Sequence, residues 1–106
     1  MRNDLEGATK ALAVARKLQP KRPGLALIDG SIAARSKRWQ DAITAFTNAA
    51  KENDAGSTPW FNQGICHLAL DDLTAAHAAF ATAAKLDAKD VEAAHNRDVL
   101  AKLLAR

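Results

Sequence analysis

The residues of this chain that could carry out chemistry are one cysteine, three histidines and a few carboxylates. Cys66 and His67 are adjacent, so on a helix their side chains diverge by about 100° and cannot form a nucleophile–base pair. We expect Cys66 to be a small apolar core residue instead, because free cysteine is among the most buried residue types. The carboxylates considered with these residues are those of Asp71, Asp72 and Asp98.

Metal and cofactor chemistry have equally little support. His67 and His77 are ten residues apart across a predicted helix turn and could face each other, but no third ligand stands at tetrahedral spacing. The alternative is that both imidazoles are packed or half-exposed. No phosphate-binding loop, zinc-protease motif or glycine-rich dinucleotide fingerprint occurs. The sequence therefore predicts a protein that is not an enzyme and has no cofactor or metal.

Composition indicates one soluble, all-helical domain. The 106 residues are 48% hydrophobic and 25% charged, which argues against disordered, collagen-like and disulfide-scaffold proteins. The chain has 25 alanines but only five glycines and three prolines, a balance that favours helices. No apolar run approaches the ~20 residues that span a bilayer, and the N-terminus lacks the apolar core of a signal peptide. Together with a single cysteine, this predicts a cytoplasmic protein with no membrane contact.

The net charge of +3 is unevenly distributed. Residues 1–38 contain nine Lys/Arg and three Asp/Glu, whereas residues 39–106 contain six and nine. The basic run from Arg16 to Arg22 has the composition of a nucleic-acid patch, and it could also attract an acidic partner. No aromatic residue precedes Trp39, so this segment has no aromatic side chain on which a base could stack. Binding of nucleic acid or an acidic partner through this end is the alternative function. The run could instead be a solvated helix C-terminus, where the macrodipole favours cations.

The chain repeats itself at a fixed interval, the one that separates Gly30 from Gly64. The blocks 23–56 and 57–90 abut without a gap, and each divides into two helices. On the second helix a phenylalanine is flanked by alanines on one face, while a glycine on the first helix leaves room for the ring. The pairs at this repeat interval are Gly30 and Gly64, Trp39 and Leu73, Ala42 and Ala76, Phe46 and Phe80, and Ala49 and Ala83.

The repeat extends to both ends. Residues 1–22 resemble the second helix of an incomplete repeat, and residues 91–106 form a capping helix, because a further helix packed on it would have to bury Asp98. Helices are predicted near 4–18, 23–36, 39–52, 57–70, 73–86 and 91–105, with Thr58 as an N-cap, Pro59 in a first turn, and Asp71 and Asp72 starting the next helix. The first helix is expected to have an uncovered apolar stripe that self-associates or marks a longer array. That stripe consists of Leu5, Ala8, Leu12 and Ala15.

Residues 57–90 resemble the tetratricopeptide repeat, a helix–turn–helix unit of about 34 residues. Its signature positions are occupied by Trp60, Gly64, Ala76, Phe80, Ala83 and Asp87. The block departs from the pattern at His67, where tyrosine is usual, and at Ala88, where proline is usual; the 23–56 block has Ala26 in place of the tryptophan. The resemblance implies an all-α, right-handed superhelical stack of antiparallel helix pairs, an α-solenoid. Residues 92–106 also resemble the closing helix after the repeats of bacterial Bat-type von Willebrand A proteins.

The same resemblance implies a concave groove lined by the first helix of each repeat, which holds a segment of a partner protein. In this family, asparagines at the positions of Asn62 and Asn96 often hydrogen-bond the main chain of the ligand; otherwise they only cap or solvate their helices. The groove positions are Leu27, Ile28, Ser31, Ala34 and Arg35, then Phe61, Asn62, Ile65, Leu68 and Ala69, then His95, Asn96, Val99, Lys102 and Leu103.

Chaperone-binding members of the family grip a C-terminal carboxylate with a clamp of lysines, arginines and asparagines. The clamp positions here hold Leu27, Ser31, Asn62, Glu92 and Asn96, so the cationic groups are missing and chaperone tails are not expected partners. The predicted function is a protein–protein interaction module, whether adaptor, chaperone or scaffold, that binds a partner peptide in a mostly apolar groove.

Overall fold

The structure is a computed structural model that describes residues 2–18, 24–52 and 56–106, and every regular element in these ranges is an α-helix. The prediction of an all-α fold with six helices is confirmed, and each helix begins and ends within two residues of its predicted bounds. No helix in these ranges is both long and apolar enough to cross a bilayer. The helices are α1 (Arg2–Leu18), α2 (Leu25–Arg35), α3 (Trp39–Ala50), α4 (Thr58–Ala69), α5 (Leu73–Leu86) and α6 (Val91–Leu104).

Local chemistry explains where three of the helices begin. The side chains of Asp72 and Asp90 cap α5 and α6, each accepting a hydrogen bond from the backbone N–H three residues on, at 3.1 and 3.0 Å. Pro59 lies in the first turn of α4, as predicted. The cap position of that helix is Ser57 rather than Thr58, so the predicted N-cap is wrong by one residue.

The α2–α3 and α4–α5 turns have the same structure. Each turn contains one non-glycine residue with a left-handed backbone conformation. This residue is Lys37, with φ 61°, in the first turn and Asp71, with φ 59°, in the second. The backbone N–H of the residue that follows donates to the carbonyl five residues earlier, at 2.9 Å in both turns. This is the hydrogen bond of a Schellman motif, which ends one helix and lets the chain reverse into the next.

Within each of these two hairpins a glycine contacts a phenylalanine ring. A Cβ atom added at Gly30 would lie 2.5 Å from Cε1 of Phe46, and one added at Gly64 would lie 2.7 Å from Cε1 of Phe80. Both distances are far below van der Waals contact, so only glycine allows the two helices to approach this closely. The predicted packing of a small residue against a large one is confirmed.

A second contact recurs along the stack at the repeat interval. It joins a buried side chain of α1, α3 or α5 to one of the helix that follows, and successive pairs are one repeat interval apart. The pairs that share a buried cluster are Leu12 and Ile32, Phe46 and Cys66, and Phe80 and Leu100. The main contacts therefore join helices that are neighbours in the chain. The resulting layer is elongated, measuring 48 × 29 × 19 Å. Its radius of gyration is 14.6 Å, against about 13 Å for a compact domain of this length.

The apolar stripe of α1 is covered by α2. Leu12 is buried against two apolar residues of α2, and Ala8 and Ala15 are partly buried beside it. The prediction of an uncovered stripe is therefore wrong for these three residues, because α2 presents one apolar face to α1 and another to α3. The side chain of Leu5 lies outside the described residues. Self-association through α1 stays a prediction.

Candidate functional site

Along the chain, helices α2, α4 and α6 alternate with α3 and α5. Because the contacts between helices recur at the repeat interval, residues one interval apart occupy equivalent positions on α2, α4 and α6. The fifteen predicted groove residues fall into five rows across these three helices. We call them together the first-helix face. Its rows are Leu27, Phe61 and His95; Ile28, Asn62 and Asn96; Ser31, Ile65 and Val99; Ala34, Leu68 and Lys102; and Arg35, Ala69 and Leu103.

Large apolar side chains are exposed on this face. Five of them have between 38 and 47% of their surface accessible. In contrast, α3 exposes no large apolar side chain, and α5 exposes only Leu86 at its C-terminal end. The contrast separates the first-helix face from α3 and α5, and it does not extend to α1, which exposes Val14 and Leu18. The exposed residues of the first-helix face are Ile28, Ile65, Leu68, Val99 and Leu103.

Leu27 and Phe61 contribute less to this face than the sequence suggested, because each is partly buried in the core. Leu27 packs against the cluster that contains Phe46. The ring of Phe61 meets that of Phe80 edge-on, with centroids 5.3 Å apart, and it also packs against residues of α6. Phe61 therefore anchors α4 to α5 and α6, and its truncation would change stability together with the surface.

Asn62 and Asn96 are half-exposed in the interiors of α4 and α6, so neither of them caps a helix. Neither carboxamide forms a hydrogen bond with another residue in the described part of the chain. Each can therefore offer both a donor and an acceptor to a ligand. In the neighbouring row, the Ser31 hydroxyl already donates to the Leu27 carbonyl at 3.0 Å.

Positive charge lies at one end of the face. Arg35 and Lys102 are exposed, and neither forms an ion pair with a carboxylate in the described ranges. Arg35 lies on α2 in the row of Ala69, and Lys102 lies on α6 in the row of Leu68. The two cations are therefore on opposite sides of α4. The carboxylate closest to Lys102 along α6 is that of Asp98, whose pKa is lowered chiefly by a hydrogen bond from Nε of Arg97 at 2.9 Å.

Two exposed carboxylates lie near the margins of the face. Glu92 is in the first turn of α6, at the end of the face opposite Arg35 and Lys102. Asp71 occupies the turn after α4. Each is therefore placed beyond the apolar rows, and none of the fifteen face residues is acidic.

The groups considered for catalysis do not converge. Cys66 is 1% exposed among apolar residues of α2 and α3, and burial raises the pKa of its thiol. The prediction that Cys66 is a core residue is confirmed. His67 and His77 are partly buried, and His95 is exposed on the first-helix face. Among the described residues no three side chains of His, Cys, Asp or Glu are grouped so as to hold a metal ion.

The basic N-terminal end is only partly described. Arg16 forms an ion pair with Asp29 of α2 at 3.4 Å, and Lys17 is exposed in the last turn of α1. Residues 19–22 of the run, including Lys21 and Arg22, lie outside the described residues.

A polar depression of about 310 Å³ lies between α2 and α3. Its two carboxylates, Asp29 and Asp41, are already paired with Arg16 and Arg38 at 3.4 and 3.6 Å. The depression therefore offers less unengaged chemistry than the first-helix face.

No model of a known protein family matches the chain, and no curated protein is similar enough to count as a relative. The resemblance to the tetratricopeptide repeat therefore depends on the residues named above.

Proposed function

We propose that the chain is a tetratricopeptide-type α-solenoid whose first-helix face binds a peptide segment of a partner protein, without catalysis. The observation that carries this proposal is the concentration of exposed apolar side chains on α2, α4 and α6, while α3 is free of them. Contiguous exposed apolar surface usually marks an interaction site.

Three structural features support the solenoid. The contacts between helices recur at the repeat interval, the two hairpin turns share one geometry, and the molecule is elongated along the stack. Repeats that touch only their neighbours build such a layer, and a right-handed superhelical twist would place α2, α4 and α6 on its concave side. A segment of a partner could then lie across several first helices at once.

The chemistry of the face suits a peptide. Ile65 and Val99 occupy one row and offer apolar contacts to side chains, while Asn62 and Asn96 occupy the adjacent row and can hydrogen-bond the main chain of the ligand. Burial of apolar area contributes about 25 cal/mol per Å² to such binding, and part of this gain is lost in ordering the peptide. An adaptor, a chaperone and a scaffold would all use the surface in this way.

A random library of displayed peptides, selected against the whole chain, tests the proposal. The affinities of the selected peptides should then fall sharply for the variant Ile65→Ser/Val99→Ser, as measured by fluorescence anisotropy. The matched control is Val14→Ser/Leu86→Ser, which makes the same kind of change at two exposed residues outside the face. Equal affinities for the two variants, or failure to select any peptide, would contradict the proposal.

A further inference from the structure

We infer that the segment bound by the first-helix face carries an apolar anchor with acidic residues on both sides of it. This inference rests on the proposed function and names the chemistry of the partner. It follows from the charges of the face, which are all of one sign at the end where Leu68 and Leu103 are exposed.

Two cations lie at the apolar end of the first-helix face. Arg35 is the last residue of α2, and Lys102 lies in the last turn of α6. In the repeat rows α4 lies between these helices, which places Lys102 in the row of the exposed Leu68 and Arg35 in the next row, on the opposite side of α4. Neither cation forms an ion pair within the described residues, although the charge of Lys102 contributes to lowering the pKa of Asp98 one turn earlier on α6.

The two cations would select among bound segments by their charge. A neutral segment would gain nothing from Arg35 and Lys102, and a basic one would be repelled by them. An acidic flank on each side of an apolar anchor satisfies both cations while the anchor covers Leu68. The carboxylate of Glu92, at the opposite end of the face, would disfavour acidic residues there. Asp71 lies in the turn just after Leu68, where its backbone N–H donates to the Leu68 carbonyl at 3.0 Å, so the acidic flanks should lie toward α2 and α6 and not over that turn.

Charge attraction by the protein as a whole does not account for this preference. The formal net charge is only +3, and of the nine basic residues among residues 1–38 only Arg35 belongs to the face. Attraction at Arg35 and Lys102 is therefore local. It should act on residues next to the anchor and weaken with added salt, because exposed charges are screened over about 10 Å at 0.1 M.

The same displayed library provides the test, read by the composition of the selected peptides. Peptides selected by the unaltered chain should be enriched in Asp and Glu next to an apolar residue. The variant Arg35→Glu/Lys102→Glu should select Lys and Arg at those positions, and it should bind the original peptides about tenfold more weakly. A second variant, Arg35→Gln/Lys102→Gln, removes the charges without reversal and should lose the acidic preference without gaining a basic one.

The control variant is Lys51→Glu/Lys85→Glu, which makes the same change of net charge at two exposed lysines outside the face. It should retain the acidic preference and the affinity. If it weakens binding as much as the face variant does, the attraction is general and the inference is wrong.

The dependence of binding on Ile65 and Val99 tests the proposed function, and the acidic enrichment of the selected peptides tests the inference. Peptides that need Ile65 and Val99 but show no acidic enrichment would overturn the inference and leave the proposed function intact. Peptides that bind independently of Ile65 and Val99, or selection of no peptide, would overturn both.

Discussion

Replacing Gly64 by alanine should destabilise the protein, although alanine is the better helix former. The added Cβ would lie 2.7 Å from both Cε1 and Cζ of Phe80 and 2.9 Å from Cδ1. Phe80 is fully buried and is held by Ala76 and Leu100, so its ring has no open space into which to withdraw. The helices must separate or the ring must leave its rotamer.

The magnitude follows from two opposing contributions. Overpacking of this kind destabilises by about 1–3 kcal/mol, whereas replacing glycine by alanine inside a helix stabilises by about 1 kcal/mol. Gly7 on α1 isolates the second contribution, because a Cβ added there would have no atom within 4 Å. We expect Gly7→Ala to raise the free energy of unfolding by about 1 kcal/mol, and the difference between the two variants to be about 1–3 kcal/mol.

The assay is urea denaturation followed by far-UV circular dichroism, with unchanged m-values as the check that both variants unfold in the same way. Phe80→Leu, introduced into the Gly64→Ala variant, should restore part of the lost free energy of unfolding, because the smaller side chain leaves room for the added Cβ. A double-mutant cycle should then report a favourable coupling between the two substitutions. Equal stabilisation by Gly64→Ala and Gly7→Ala would refute the packing of α4 on α5 described here.

Four further outcomes are expected. Ala76→Leu should lower the free energy of unfolding by about 1–3 kcal/mol in urea denaturation, because Ala76 is fully buried against Phe80. Lys37→Gly should raise it by up to about 1 kcal/mol in the same assay, because the left-handed conformation strains lysine. The Cys66 thiol should react with Ellman's reagent only as fast as the protein opens, since burial raises its pKa and blocks access. Asn62→Ala should weaken binding of a selected peptide by about 1–2 kcal/mol in fluorescence anisotropy and leave urea denaturation unchanged.

Much of the fold could be predicted because periodic residues have local consequences. A glycine on one helix that recurs together with a phenylalanine on the next predicts a tight antiparallel helix pair, and the structure has that contact at Gly30 and Gly64. Helix ends were less predictable, and Ser57 rather than Thr58 precedes α4 because neighbouring polar residues compete for the same cap position.

The remaining differences come from contacts between repeats. The burial of Leu12 by α2 could have been predicted from the repeat. Leu12 and Ile32 each lie one repeat interval before Phe46 and Cys66, which share a buried cluster, so the same contact is expected between them. For the candidate site, the repeat predicts which residues share a face. It does not predict how deeply each one is buried, since that depends on how closely the helices approach. Phe61 is the clearest case, because it belongs to the core as much as to the surface.

Binding of partner peptides across α2, α4 and α6 can be tested by NMR of the ¹⁵N-labelled chain. A selected peptide is titrated in, and the shifts of backbone and side-chain amides are followed. We expect the carboxamide signals of Asn62 and Asn96 to move together with the backbone amide signals of Ile65 and Val99, while the backbone amide signals of α3 stay in place. Shifts confined to the basic end, around Arg16 and Lys17, would contradict it.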